Sequence, residues 1–406
     1  MDIIKYAVGG IDLILPGKSP IAIDPIRVCA IDMVKDFDDS FFPVFHIVLS
    51  VSKDMYYEVL ENKTTVKFRI KMDYLNMKDT RRLPKTCFNE LFTAFIDEYT
   101  PYTESELTNA VRESEGTKDT NSLRDFENSL DLYLFKESDL NNSKKITNVV
   151  IQKGSMLDVI TYLMAKSGFT SNVLMEGLDN RDVYNDIIIP PVNLLSNLAY
   201  LENQYGFYNT WSTLFFDIDR TYLLSKKGGC RAYKVHEPRK VMLNVSANTN
   251  PNGAYSIGEL KNGVYKYNIT KNALSVASTS ITTDAILGNN TLMINSITGE
   301  VDSIKSEAID RSGNFKVMVN KYNNRYIIEA EKNNNEDSYI CTINLKEFDI
   351  SAFTPNKEFL IHYEDEKANK EYGGVYRLSK VEYSFTKDGS MYSISGIITL
   401  KRRKKK

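Results

Sequence analysis

Period-two alternation dominates both ends of this chain, and period-3.6 stripes interrupt it once, in the middle. Near the front, Val66, Phe68, Ile70 and Met72 alternate with Lys67, Arg69 and Lys71. Successive side chains of an extended backbone point to opposite faces, so this run predicts a strand with one apolar and one wet, basic face. The whole stretch from Phe41 to Met72 is rich in β-branched and aromatic residues around Glu61-Asn62-Lys63, and it predicts two long strands joined as a hairpin. Near the other end, Val381, Tyr383 and Phe385 precede a Lys387-Asp388-Gly389-Ser390 turn, after which Tyr392, Ile394, Ile398 and Leu400 resume the alternation. That pattern predicts a closing hairpin.

In the middle, Ser155 stands where a helix N-cap belongs, with Asp158 three residues on and Gly168 as a stop. Leu157, Ile160, Leu163 and Met164 then make one stripe of a short amphipathic helix. After Ile189-Pro190-Pro191, Leu194, Leu198, Leu201 and Tyr205 repeat the device and end at Gly206. Between the first strands and these helices, Thr103 to Lys145 is mostly polar and predicts an exposed insertion, with strand-like character returning at "DLYLF" and "ITNVVIQ". The expected organisation is mainly β with a small helical connector, an α+β chain. A first β domain covers 1–150 with the insertion at about 103–145, a helical connector 151–206, a second β domain 207–400 and a basic tail 401–406.

Bulk properties narrow the class. At 406 residues the chain exceeds what one core fills, about 250 to 300 residues, so more than one core is expected. Lys+Arg 51 against Asp+Glu 53 excludes a global basic field for nucleic acid or acidic membranes. The basic face of the Val66–Met72 strand and the final "KRRKKK" are read as solvated, with contact to a polyanion or acidic partner as the alternative. Cys29, Cys87, Cys230 and Cys341 form no CxxC pair, so neither a disulfide scaffold nor a zinc cluster is expected. The first twenty residues do not read as a secretion signal, and no apolar run approaches the ~18 residues of a spanning helix.

One motif raises chemistry. "FFDIDRTYLL" imitates the Asp-x-Asp of the haloacid-dehalogenase phosphatases, with Asp217 as nucleophile and Asp219 as acid/base. Arg220 stands where that family has Gly, and a second strand rather than a helix follows, so both aspartates read as turn formers. The Asp36–Ser40 cluster lacks the Gly and distant Glu of a calcium loop and reads as a pre-strand turn. His46, His236 and His362 have no neighbours at metal-ligand spacing, and His46 reads as a cross-strand packing residue. Neither a catalytic, cofactor nor metal residue is assigned, and the chain is expected not to be an enzyme.

Three stretches together resemble the central baseplate-hub family of long-tailed, contractile phages and related injection machines. They are "DFDDSFFPVFHIVLSVSKDMYYEVLENKTTVKFRIKM", then "SMLDVITYLMAKSGF" with "IIIPPVNLLSNLAYLENQYGFYNTWSTLFFDIDRTYLLSK", and "GGVYRLSKVEYSFTKDGSMYSISGIITLKR". The resemblance implies two β-barrel, tube-like domains per subunit in a ring-shaped homotrimer. It implies a structural role: adapting a six-fold tail tube to a three-fold spike and forming part of the genome-delivery channel. Implied partners are further copies of the chain, the tail tube protein, the central spike, the tape-measure and baseplate wedge proteins, and genomic DNA in transit. The implied location is the virion tail, after synthesis in the host cytoplasm. A host-surface or carbohydrate-binding tail protein is the alternative.

Overall fold

The structure, a computed structural model, describes residues 4–76, 85–97, 128–169, 172–208, 210–226, 238–246, 257–270, 273–278, 292–294, 301–303 and 339–402. The N-terminal stretch runs β1 (Ile4–Ile14), β2 (Ile21–Ile23), β3 (Val28–Asp36), β4 (Val44–Val51), α1 (Lys53–Glu61), β5 (Lys67–Asn76), β6 (Lys85–Asp97) and β7 (Asn128–Lys136). A middle stretch follows with α2 (Glu137–Ser143), β8 (Ile146–Ser155), α3 (Met156–Ser167), β9 (Val173–Met175), β10 (Val183–Asn193), α4 (Leu194–Gln204), β11 (Ser212–Phe216) and β12 (Thr221–Ser225). The C-terminal stretch begins with β13 (Lys240–Ser246), β14 (Ile257–Lys261), β15 (Val264–Thr270), β16 (Leu274–Ser278) and the small pair β17 (Leu292–Ile294) and β18 (Val301–Ser303). It ends with β19 (Tyr339–Lys346), β20 (Glu358–Tyr363), α5 (Glu366–Tyr372), β21 (Gly374–Asp388) and β22 (Met391–Arg402).

Eight antiparallel strands close into a barrel in the order β21-β3-β4-β7-β6-β5-β1-β22, with β21 and β22 paired to each other. Closure removes the unpaired strand edges that an open sheet exposes. Alternation fills the inside: Tyr6, Met33, Phe45, Phe68, Phe92 and Leu132 are buried, and Tyr6 meets Phe385 edge-on at 5.5 Å. The seam between β1 and β22 is narrow, with one backbone pair at Tyr6 and Tyr392. Lys5 Nζ reinforces it by donating to Ser393 Oγ of β22, and it also reaches Asp388 at the end of β21 at 3.0 Å, while Tyr6 Oη donates to Phe348 O beyond β19 at 3.2 Å. Gly389, at φ +66°, makes the tight turn between the two long strands.

The same two strands serve a second sheet. β20 pairs with the start of β21, and β19 pairs with β22 along Ser395–Arg402, giving the path β14-β15-β13-β20-β21-β22-β19-β16 among the described residues. One hairpin is therefore a member of both β units. The closing hairpin agrees with the alternation that predicted it, whereas the expected split at 150 and 207 does not capture this sharing. Residues 374–402 complete the first barrel, and β11 and β12 join the middle stretch rather than the second sheet.

The middle stretch has its own core. Ser155 caps α3 in a reciprocal box with Asp158, and Gly168 ends the helix at φ +102°. Val159, Ile160, Leu163 and Met164 from α3 pack with Leu194, Leu198 and Leu201 from α4, and the inner sides of the β8–β10 ribbon and the β9–β12–β11 sheet complete the cluster. Leu157, expected in the buried stripe, is exposed because Met156 and Val159 take the inward positions.

Three further expectations change. Phe41 to Met72 is not a hairpin: Ser52 caps α1, and β4 and β5 each pair elsewhere, β4 with β3 and β7, β5 with β1 and β6. The insertion is narrower than 103–145, because β7 from Asn128 is an inner barrel strand and α2 packs beside it, while 103–127 lies outside the described residues. The tail begins later than 401: β22 runs to Arg402, and this guanidinium is buried between Tyr339 and Tyr376 at 4.9 and 5.0 Å from the ring centres. Residues 403–406 lie outside the described residues.

Candidate functional site

The two aspartates that imitate a phosphatase sit in a two-stranded turn. β11 and β12 are antiparallel, from Ser212 opposite Ser225 to Phe216 opposite Thr221, and Asp217 N–H donates to Arg220 O at 2.8 Å to close the loop. Asp219 is on the outside, paired with its neighbour Arg220 at 2.8 Å. Asp217 is buried; it accepts from Ile218 N–H at 2.8 Å and faces Lys35 Nζ of β3 at 2.7 Å. Complete burial pushes its carboxyl above the usual carboxylate range, against the pull of Lys35. A nucleophile needs access to its substrate, and this carboxylate is consumed by a buried ion pair that ties the middle stretch to the barrel.

A second carboxylate shows more convergence. Asp36 accepts from the N–H groups of Asp38 and Asp39, which makes the turn expected before β4. That turn delivers Asp38 into a buried junction. Arg377 of β21 grips it with both nitrogens, at 2.7 and 3.1 Å, and Ser379 Oγ donates at 2.6 Å. Lys401 of β22 adds 2.8 Å, and Lys226, just past β12, adds 3.2 Å while also donating to Asp38 O. Burial alone would raise this carboxyl; Arg377 beside it, with Lys226 and Lys401, instead holds it well below the usual carboxylate range. One side chain thus fastens the β3–β4 turn to the shared hairpin and to the middle stretch. Beside it opens a cleft of about 280 Å³ walled by Phe37, Phe41, Leu198, Phe207 and Trp211.

On the barrel exterior, Ser384, Asp32, His46, Tyr133 and Phe95 stand in cross-strand register over β21, β3, β4, β7 and β6. His46 Nε2 lies 2.6 Å from Asp131 and Nδ1 3.5 Å from Asp32, and its ring stacks on Tyr133 at 4.9 Å. The hydrogen bond with Asp32, then Asp131, against partial burial, raises the imidazole pKa above its ordinary value. The cross-strand packing expected for His46 is present, with two carboxylate partners that sequence reading did not foresee. His362 is exposed, and His236 and Cys230 lie outside the described residues. Cys29, Cys87 and Cys341 are separate thiols. On the basic face of β5, Lys67 pairs with Glu137 at 2.5 Å and Lys71 with Asp73 at 3.2 Å, so two of its three cations are answered within the chain. Among the described residues there is no group of three metal-ligating side chains, and no helix is long and apolar enough to cross a membrane.

At Asp38 and Asp217, ion pairs fasten one part of the chain to another. Among solved structures, a tail protein from Neisseria meningitidis superposes with TM-score 0.48 at 10% identity, covering 98% of this chain and 96% of that one. The prophage MuSo2 43 kDa tail protein from Shewanella oneidensis gives 0.46 at 10% identity over 97% and 98% of the two chains. A prophage tail protein from Listeria monocytogenes gives 0.41 at 8% identity over 98% and 96%. None of the curated proteins matches the sequence. The family model described as Bacteriophage PBS1 gene 109 protein matches residues 6–403, and the chain belongs to that family.

Proposed function

We propose that this chain is a structural subunit of a phage tail, the central baseplate hub, in which copies form a ring-shaped homotrimer between the tail tube and the spike. The observation that carries the reading is the shared β21–β22 hairpin. A hub subunit must hold two tube-like β units at a fixed spacing and angle under load, and one continuous hairpin built into both does this without a flexible linker. Asp38 and Asp217 fasten the middle stretch to the same frame. Membership of a phage family and the tail proteins among the structural neighbours agree with the reading. On this reading a trimer presents six β units to the six-fold tube, binds the spike on its three-fold side and leaves a channel for the genome. The tape-measure and wedge proteins are its further partners, the virion tail its location, and the role is not enzymatic.

Electron-microscopy class averages of the purified protein, with pull-down against the phage's own tail tube protein, test it. A three-fold ring with a central hole that retains the tube protein is expected. A monomer that binds glycans on an array and ignores the tube protein would replace this reading with that of a host-surface binder. Asp217→Asn is expected to leave phosphate-ester hydrolysis at background, as in the unaltered protein.

A further inference from the structure

The Lys35–Asp217 pair has the makings of a covalent bond. Lys35 Nζ lies 2.7 Å from Oδ1 and 2.8 Å from Oδ2 of Asp217, and the two side chains are 9% and 1% exposed. A nitrogen centred on both oxygens at these distances sits about 3.1 Å from the carboxyl carbon, within the separation from which reacting atoms join. Among the described residues Lys35 has no other hydrogen-bond or ion-pair partner, so no second acceptor competes for its nitrogen. The surroundings are apolar. Two residues after Lys35 and two before Asp217, Phe37 and Phe215 meet edge-on at 4.6 Å. Tyr383 of β21 is buried with its hydroxyl unpartnered, and its phenol is raised by burial and then by the charge of Asp217.

Energetics favour a neutral link at such a place. A buried ion pair keeps two charges out of water, and their attraction offsets that penalty only in part. An amide made from the same two side chains carries no charge and leaves one N–H and one C=O to satisfy. The burial that lifts the Asp217 carboxyl favours the acid, the form that expels water, over the carboxylate. A second carboxyl stands close by. Asp139 of α2 is 4.0 Å from Lys136, whose Nζ donates to Ile218 O at 2.6 Å, and its carboxyl is raised by burial and also by Asp217, which suits it to carry protons.

We propose that Lys35 and Asp217 condense to a side-chain amide that joins the β11–β12 turn covalently to β3. One ammonium proton passes to a carboxyl oxygen, the carboxyl turns about Cβ–Cγ to offer its face, and the amine nitrogen attacks Cγ. The tetrahedral carbon then expels that oxygen as water with a second nitrogen proton. An N–Cγ bond replaces one C–O bond, and the third proton stays on the amide. The ion pair is the state before the bond forms, and the bond links residues 182 apart in the chain. It makes permanent an attachment that the charges hold reversibly, and it stands or falls apart from the hub reading.

Intact-mass spectrometry of the full unaltered chain, folded, purified and then denatured, is the test. The chain is expected to be lighter than its sequence by one water, about 18 Da. Trypsin is expected not to cut at the modified Lys35, so residues 28–53 and 182–220 emerge as one branched peptide. The double variant Lys35→Met with Asp217→Leu is expected at its full sequence mass. An unaltered chain at full mass would overturn the proposal, with no variant needed. A lost water without the branched peptide would do the same, because the Asp388-Gly389 turn can shed one by closing an imide. So would a double variant that is equally light.

Discussion

The first barrel and the middle stretch are built on different principles. The barrel has no free edge, and its interior is apolar and aromatic from Tyr6 through Phe68 to Tyr383. The middle stretch has a smaller core of its own and a ribbon with one face open, and it joins the barrel by packing, with Phe215 against Phe37 at 4.6 Å and Tyr222 and Leu224 in the main core, and also by two ion pairs, Asp38 with Lys226 and Asp217 with Lys35. Packing is distributed, so one lost contact is shared among many neighbours; a charged fastening is concentrated, so removing one member strands the rest. The barrel wall thus rests on distributed packing, while the attachment of the smaller unit adds two concentrated ion pairs to its packing.

The sharpest way to break this contrast is Asp38→Ala. It leaves Arg377 and Lys401 facing each other with Lys226 in a buried site, and a loss of about 4 kcal/mol is expected in urea unfolding. Asp217→Asn is next, with a loss of about 3 kcal/mol, because it strands Lys35. The double change Lys35→Met with Asp217→Leu is expected to recover most of it, since apolar groups of similar size need no partner; no recovery would mean the pair fixes geometry as well as charge. Ser155→Ala removes the α3 cap and is expected to cost about 1 kcal/mol, with amide exchange rising at the start of α3 before it rises in the barrel. The smallest effect is pH-dependent. Because the folded pKa of His46 is raised, its contribution is fully present below about pH 6.5 and fades as pH climbs through the raised value. The stability gap between the protein and His46→Gln is expected to narrow from pH 5.5 to pH 9; a gap independent of pH would assign His46 to packing alone.

Alternation and caps were readable wherever a local period decides the outcome. The closing hairpin, the two connector helices, the Ser155–Asp158 box and the Gly168 and Gly206 stops were all visible in the chain. Helix α1 was missed because Tyr56, Tyr57 and Val59 are strand formers, and its apolar stripe of Met55, Tyr56 and Val59 is too short to stand out from the alternation around it. The charged junctions were invisible for another reason. Asp38 and Arg377 are 339 residues apart, and Lys35 and Asp217 are 182 apart, so no local pattern joins them. The same distance hid which sheet the last hairpin completes. Its strands were evident, but their neighbours β3 and β1 are set by pairing across nearly the whole chain.

That pairing bears on how the molecule is made. Tyr6 leaves the ribosome long before Tyr392, the residue it meets in β22, so the first barrel cannot shut until β22 has been made. Until then its half-built wall presents two raw strand borders to solvent, and the contact that ends this exposure is also the one with the greatest loop to close. A premature stop anywhere upstream of β21 therefore costs the cell more than a missing end: it leaves an open, sticky sheet where a sealed wall was due.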